Sequence, residues 1–264
     1  MLSLKPLFLA VTCALAAAPP KAPIPPPPLE AGETLALAGP DGEVHVWGDN
    51  RVLPMGSLAK LVWLKLEGAE WNSQMVQFKC TGAGGGVVCS GQHGKVDLAR
   101  ALAENCSLAF VYWARGSAMG WVKDYGDGAA RARLEDTFNP FLGNRMPPGD
   151  ELPLLDGNWV GDGPLLRTSP EAMLRWLLDP AQDEVVRRIR RMVLSFVDET
   201  FKDNVWWVHV GPAPGFPDGA GSAWAVGSNG RLTAVLHLPA GKGRKEALAR
   251  FQALLMVPAK PAKQ

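Results

Sequence analysis

Pro54-Met55-Gly56-Ser57-Leu58-Ala59-Lys60 decides how the rest of this chain is read. It opens a segment, Leu58 to Leu66, that is apolar nearly all round through Leu58, Leu61, Val62, Trp63, Leu64 and Leu66. A helix of that kind is buried. At spacing i, i+3 the Ser57 hydroxyl and the Lys60 amine share one helix face. Burial disfavours the ammonium form, and a neutral amine beside a hydroxyl can activate it as a nucleophile. The alternative for the same residues is Ser57 as a helix cap, with Lys60 reaching out to solvent.

On the N-terminal side, the alternating stretches Leu35 to Ala38 and Val44 to Trp47 flank the turn Pro40-Asp41-Gly42 and form a hairpin. Toward the C-terminus three further strands are expected, Val205 to Val210, Ala223 to Gly227 and Leu232 to Leu238, the last two joined by Ser228-Asn229-Gly230. Between these groups the pattern turns helical: Leu98 to Trp113 with breaks, Glu171 to Leu178, and Val185 to Val197. Ser169 as cap, with Pro170 at the first helical position, starts the second of these. Arg187, Arg188, Arg190 and Arg191 lie opposite the apolar face of the third and are expected to be solvated. A last helix runs from Glu246 to Leu255. Strands from both chain ends around a helical middle predict an α+β fold. It has one five-stranded antiparallel sheet built from the two termini, flanked by helices, with an inserted helical lobe.

The chain has 264 residues, with 27 Lys and Arg against 26 Asp and Glu and a net charge of +1. That balance, with no basic stripe interleaved with aromatics, excludes a phosphate-gripping nucleic-acid binder. At the N-terminus, Lys5 precedes an apolar run, Leu7 to Ala18, too short to span a bilayer and ending in small-x-small cleavage sites. Residues 1–18 are therefore an export signal, with cleavage after Ala16 preferred because Pro19 directly follows the later site. A lipoprotein reading through Cys13 is disfavoured by Thr12. Residues 19–29 form a proline-rich spacer, residues 30–258 the folded domain and residues 259–264 a tail. No transmembrane span is expected in the mature chain, which is placed in the periplasm or cell envelope.

Loss of Cys13 leaves Cys80, Cys89 and Cys106 in an oxidising compartment. Cys80 and Cys89 flank a flexible segment, Gly82 to Gly86, and are expected to form a disulfide, with Cys106 free. No Cys or His spacing resembles a zinc motif, so no metal is expected. His93, in a loop before Gly94, is expected to be structural.

Residues 54–60 resemble the nucleophile motif of the penicillin-recognising serine enzymes, the penicillin-binding transpeptidases and serine β-lactamases. Further along, Phe141-Leu142-Gly143-Asn144, then Asn158-Trp159-Val160-Gly161-Asp162-Gly163-Pro164-Leu165, then Ser169-Pro170 and a helix, resemble the class D β-lactamase order. That order is aromatic-Gly-Asn, Trp-Leu-Glu-Gly and a Ser-started helix. The Cys80 to Cys89 segment, Gly94, Val96-Asp97-Leu98 and Ala101-Leu102-Ala103 are similar to transpeptidase relatives. The resemblance spans roughly Leu35 to Leu255. It implies Ser57 as the acylated nucleophile and Lys60 as its base, with D-alanyl peptidoglycan peptides or β-lactams as ligands. It implies no cofactor beyond CO2 carboxylating Lys60, shielded by Trp159 as in class D relatives.

The departures are as informative as the matches. The second motif, Ser-x-Asn or Ser-x-Val, falls on Asn105-Cys106-Ser107, with Ser and Asn exchanged. The third, Lys-Thr-Gly, falls on His209-Val210-Gly211, which the resemblance implies contact substrate together with Asn105, Ser107 and Trp159; the substrate-facing cation and hydroxyl are both replaced, while His209 could change charge near neutral pH. In the family the residue after that Gly gives a backbone N–H to the oxyanion hole. Here it is Pro212, which has none. A wall-peptide or partner-binding protein with impaired turnover is therefore the competing expectation. A purely structural protein is disfavoured, because Ser57 and Lys60 stay paired.

Overall fold

The computed structural model describes residues 25–67, 77–89, 91–143, 146, 149, 151–179, 206–213 and 221–255. The export signal, the helix expected over Val185 to Val197 with its arginines, Asn144 and the tail lie outside these residues. Its frame is a five-stranded antiparallel sheet in the order β2-β1-β11-β10-β9. The strands are β1 (Thr34–Ala38), β2 (Val44–Gly48), β9 (Trp207–Ala213), β10 (Ser222–Ser228) and β11 (Thr233–Leu238). Both termini thus meet in one sheet, β1 pairing with β11 so that Leu35 opposes Leu236. At the β10–β11 turn the Asn229 carboxamide oxygen accepts the N–H groups of Arg231 and Leu232.

Period-2 alternation divides the sheet between two cores. Leu35, Leu37, Val208, Val210, Ala225 and Leu236 pack under the C-terminal helix Arg244–Leu255 through Ala247 and Phe251. Ala36, Ala38, Trp207, Trp224, Val226 and Val235 face a larger core. That core contains α1 (Ala59–Glu67), α3 (Ser107–Tyr125), α4 (Asp127–Phe138) and α5 (Pro170–Leu177). Burial on both faces is why these strands read as apolar runs.

Small elements tie the lobe to the sheet: β3 (Leu53–Pro54) pairs with β8 (Arg167–Thr168), β4 (Phe78–Cys80) with β7 (Gly94–Val96), and β5 (Ala83–Gly84) with β6 (Val87–Val88). The short α2 (Leu98–Ala103) is capped by Asp97, whose side chain accepts the Arg100 N–H. Ser169 caps α5 as expected, accepting the Ala172 N–H at 3.2 Å. Among the described residues, no helix is long and apolar enough to cross a membrane.

Candidate active site

The segment carrying Ser57 is set by contacts on both sides of it. The Met55 N–H donates to the Leu166 carbonyl at 3.0 Å. Residues 56–58 then form a 3-10 turn running directly into α1. Gly56 sits at φ +54 with the Pro212 carbonyl and Ala213 against it, a place only glycine fits. Ser57 lies inside this turn and not at its cap, which makes no side-chain hydrogen bond. Its hydroxyl meets His209 Nε2 at 3.2 Å instead. Lys60 is 0% exposed, so it does not reach solvent. Neither part of the cap-and-surface alternative holds.

The Lys60 amine has three N–H donors and meets three acceptors: Asn105 Oδ1 at 2.8 Å, Ser107 Oγ at 3.1 Å and the Val160 carbonyl at 3.5 Å. Ser107 passes the chain onward, its hydroxyl donating to Asp162 Oδ1 at 2.8 Å. Burial pulls the Lys60 pKa down to about 8, opposed by the Asp162 carboxylate and by Cys89 and Cys106. Burial pushes Asp162 up, against the pull of Lys60 and the Ser107 hydroxyl. The exchange of Ser and Asn in the second motif thus leaves both side chains on the amine. Asn105 achieves this from a left-handed backbone, φ 55, unusual outside glycine.

β9 forms the opposite wall. His209 and Gly211 face Ser57, whereas Val210 points into the core under the C-terminal helix, so the expectation that its side chain meets substrate is corrected by strand alternation. A Cβ on Gly211 would collide with the Ser57 hydroxyl, which shows how closely the strand covers Ser57. Ser57 is 2% exposed. His209 Nε2 also meets the Ser57 carbonyl at 3.2 Å, and a carbonyl only accepts, so Nε2 carries the proton. His209 is therefore a donor to Ser57 here and not its base. Burial, with Lys60 and Arg244 nearby, pulls its pKa down to about 3, so the expected charge change near neutral pH is corrected: it is neutral there. Pro212 lies on the edge strand, where a missing N–H is tolerated. Its carbonyl faces Gly56. In an extended strand a residue's N and O point to the same side, so the Pro212 nitrogen faces the Gly56–Leu58 turn without a proton to offer. Beside it opens a cleft of about 350 Å³ lined by Gly86, Val87, Gly161, Asp162 and Pro212.

No family model and no curated protein matches this sequence. Solved structures do. FUS-1 (OXA-85), a class D β-lactamase from Fusobacterium nucleatum subsp. polymorphum, aligns with a TM-score of 0.58 at 14% identity, over 86% of this chain and 93% of its own. The C-terminal domain of the Bacillus licheniformis BlaR penicillin-receptor gives 0.57 at 12%, over 85% and 91%. PBPA from Mycobacterium tuberculosis gives 0.56 at 12%, over 84% and 73%. The chain has the β-lactamase and transpeptidase fold. At these identities the likeness concerns architecture.

Within that fold, Trp159 packs edge-on against Phe138 at 5.6 Å, and its neighbour Val160 supplies the contact to Lys60. Gly161, at φ +93, lets this segment touch Gly56. Asp162 is the site residue that sequence reasoning gave no role. Its signal was the order Gly-Asp where class D sequences carry Glu-Gly, an acid displaced by one position. The expected Cys80–Cys89 disulfide is not formed: Cys80, Cys89 and Cys106 are all free. The thiols gather instead with His93, each ligand atom within 4.8 Å of the others, so His93 is not an isolated loop residue. Cys89 Sγ and Cys106 Sγ stand 3.9 Å apart.

Proposed function

We propose that this is an exported, cell-envelope protein whose Ser57 is acylated by D-alanyl ends of peptidoglycan stem peptides or by β-lactams. One observation carries the reading: a fully buried Lys60 amine, held by Asn105 and Ser107 three residues beyond a buried Ser57. Burying such a cation is costly, and a fold with no use for it would place an apolar side chain there. In the acylation step Ser57 Oγ bonds to the substrate carbonyl carbon and the peptide or lactam C–N bond breaks. The Ser57 proton passes to the neutral Lys60 amine, and a proton returns from there to the leaving nitrogen. With a pKa of about 8, roughly a tenth of Lys60 is neutral at pH 7. To act, Lys60 exchanges one acceptor for Ser57. On losing its proton the amine keeps two N–H groups for two of its three acceptors and turns its lone pair to the Ser57 hydroxyl. Gly211 lines the nucleophile, and Trp159 supports the turn that presents Val160.

A second reading, a wall-peptide or partner-binding protein with little turnover, is favoured by Pro212 and by Gly211 closing over Ser57. Incubation with a fluorescent penicillin, followed by denaturing electrophoresis and intact mass, separates the two. Acylation gives a covalent adduct that Ser57→Ala loses. An unmodified Ser57 after long exposure to several β-lactams, in the wild type and in Pro212→Thr, removes the acylation reading and leaves binding.

A further inference from the structure

A second cluster of reactive side chains lies behind the Lys60 wall. Cys80 ends β4, Cys89 follows β6, His93 precedes β7, and Cys106 sits at the N-cap of α3. Their three sulfurs and one imidazole nitrogen all lie within 4.8 Å of one another. Cys80 Sγ stands 3.5 Å from His93 Nδ1, and Cys89 Sγ stands 3.9 Å from Cys106 Sγ. A disulfide would bring two sulfurs to about 2.05 Å. A tetrahedral zinc centre, with Zn–S about 2.3 Å and Zn–N about 2.0 Å, has edges of about 3.5 to 3.8 Å between ligand atoms. The two observed separations match edges of that figure. A disulfide also uses only two of the four groups, whereas a metal uses all of them.

The Leu108 backbone N–H donates to the Cys89 sulfur at 3.5 Å. Such donors orient and stabilise sulfur ligands. The spacing, Cys80-x8-Cys89-x3-His93-x12-Cys106, matches no paired motif because the β5–β6 hairpin is inserted between the first two ligands.

We propose that Cys80, Cys89, His93 and Cys106 bind one zinc ion as a closed, structural Cys3His centre. With four protein ligands no coordination position is left for water or substrate, so the ion holds structure and performs no chemistry. Binding releases the three thiol protons to solvent and keeps His93 neutral, giving a centre of net charge −1. The ion joins the β4–β7 and β5–β6 ribbons to the start of α3. Cys106 stands between Asn105 and Ser107, so the metal fixes the two side chains that hold Lys60, including Asn105 in its left-handed conformation. The centre stands whether or not Ser57 is acylated.

The test uses the full chain, purified without chelators and without reductant. Elemental analysis is expected to give one zinc per chain. Intact mass after denaturation should carry no disulfide deficit, and the thiols should react with a mercurial with stoichiometric zinc release. Replacement by Co(II) should produce the sulfur-to-cobalt charge-transfer and visible bands of tetrahedral thiolate coordination. His93→Gln and Cys80→Ser should each bind zinc at least tenfold more weakly. A metal-free chain carrying the mass deficit of a disulfide overturns the proposal. So does a wild-type chain in which Cys80, Cys89 and Cys106 are free thiols and which takes up no zinc from a stoichiometric Zn²⁺ solution. Both are read on the wild type, so a variant that fails to fold leaves the decision intact.

Discussion

Asp162→Asn isolates the electrostatic control of Lys60, because asparagine keeps an oxygen for the Ser107 hydroxyl while removing the charge. Lys60 Nζ and Asp162 Oδ1 are joined through the Ser107 hydroxyl by contacts of 3.1 and 2.8 Å. At the resulting separation of no more than about 6 Å, with an effective dielectric near 20, the opposite charges attract by about 3 kcal/mol, or about 2 pH units of Lys60 pKa. Burial already holds that pKa at about 8, with Asp162 the largest influence opposing it. Removing the carboxylate therefore lowers it further, and Lys60 at pH 7 passes from about one tenth neutral to about nine tenths. The assay is the initial rate of Ser57 acylation by a fluorescent penicillin between pH 5.5 and 9.5. Wild type should show an acid limb near pH 8, with the rate falling about tenfold per unit below it. In the variant the limb should move down by about 2 units, while the plateau falls because the amine is a weaker base. A limb that stays at the wild-type position, or moves upward, would show that Lys60 is not the base that limits acylation.

Other expectations follow from the opposite wall and from the buried histidines. Pro212→Thr restores a backbone donor toward the nucleophile turn, and the acylation rate should rise at least tenfold, about 1.4 kcal/mol of barrier, in the same assay. Gly211→Ala places a methyl against the Ser57 hydroxyl, so labelling should fall by more than tenfold, with a lowered melting temperature in calorimetry. His209 and His237 are held neutral by burial, with pKa values of about 3 and about 4 against 6.5 when unfolded. The unfolded chain therefore binds protons that the folded chain refuses. The stability the two histidines contribute is present above pH 6.5 and is lost as pH falls toward 4. The loss is about 1.4 kcal/mol per pH unit for each group, measurable by urea denaturation across that range. A flat stability between pH 6.5 and 4.5 would refute that assignment.

The sheet was legible because β1, β2, β10 and β11 carry dense apolar runs bounded by Pro40-Asp41-Gly42 and Ser228-Asn229-Gly230, local signals that tertiary context reinforced. α4 was not. It presents only Ala130, Leu134 and Phe138 to the core, a narrow stripe in a charged segment, and α3 continues through Tyr125 well past the expected Trp113. At the site, Ser57 and Lys60 stood out through their helical spacing, whereas Asp162 and the thiol cluster depend on which loops meet. Position 210 was misassigned because a motif read as consecutive residues ignores alternation: His209 and Gly211 reach Ser57, and the residue between them cannot. His209's neutrality was invisible for a related reason, since its titration is set by burial.

The pairing of β1 with β11 joins Thr34 to His237, and the contact between Ser57 and His209 spans 152 residues. Contacts so distant in sequence form late, because the loop between them must close before either end gains anything. A chain emerging from synthesis can enclose Ser57 only once β9 is available, and can close the sheet only once β11 is. Shortened products ending before β9 would carry Ser57 and Lys60 without the wall that encloses them. The order of assembly thus withholds the enclosure of Ser57 until the fold is finished.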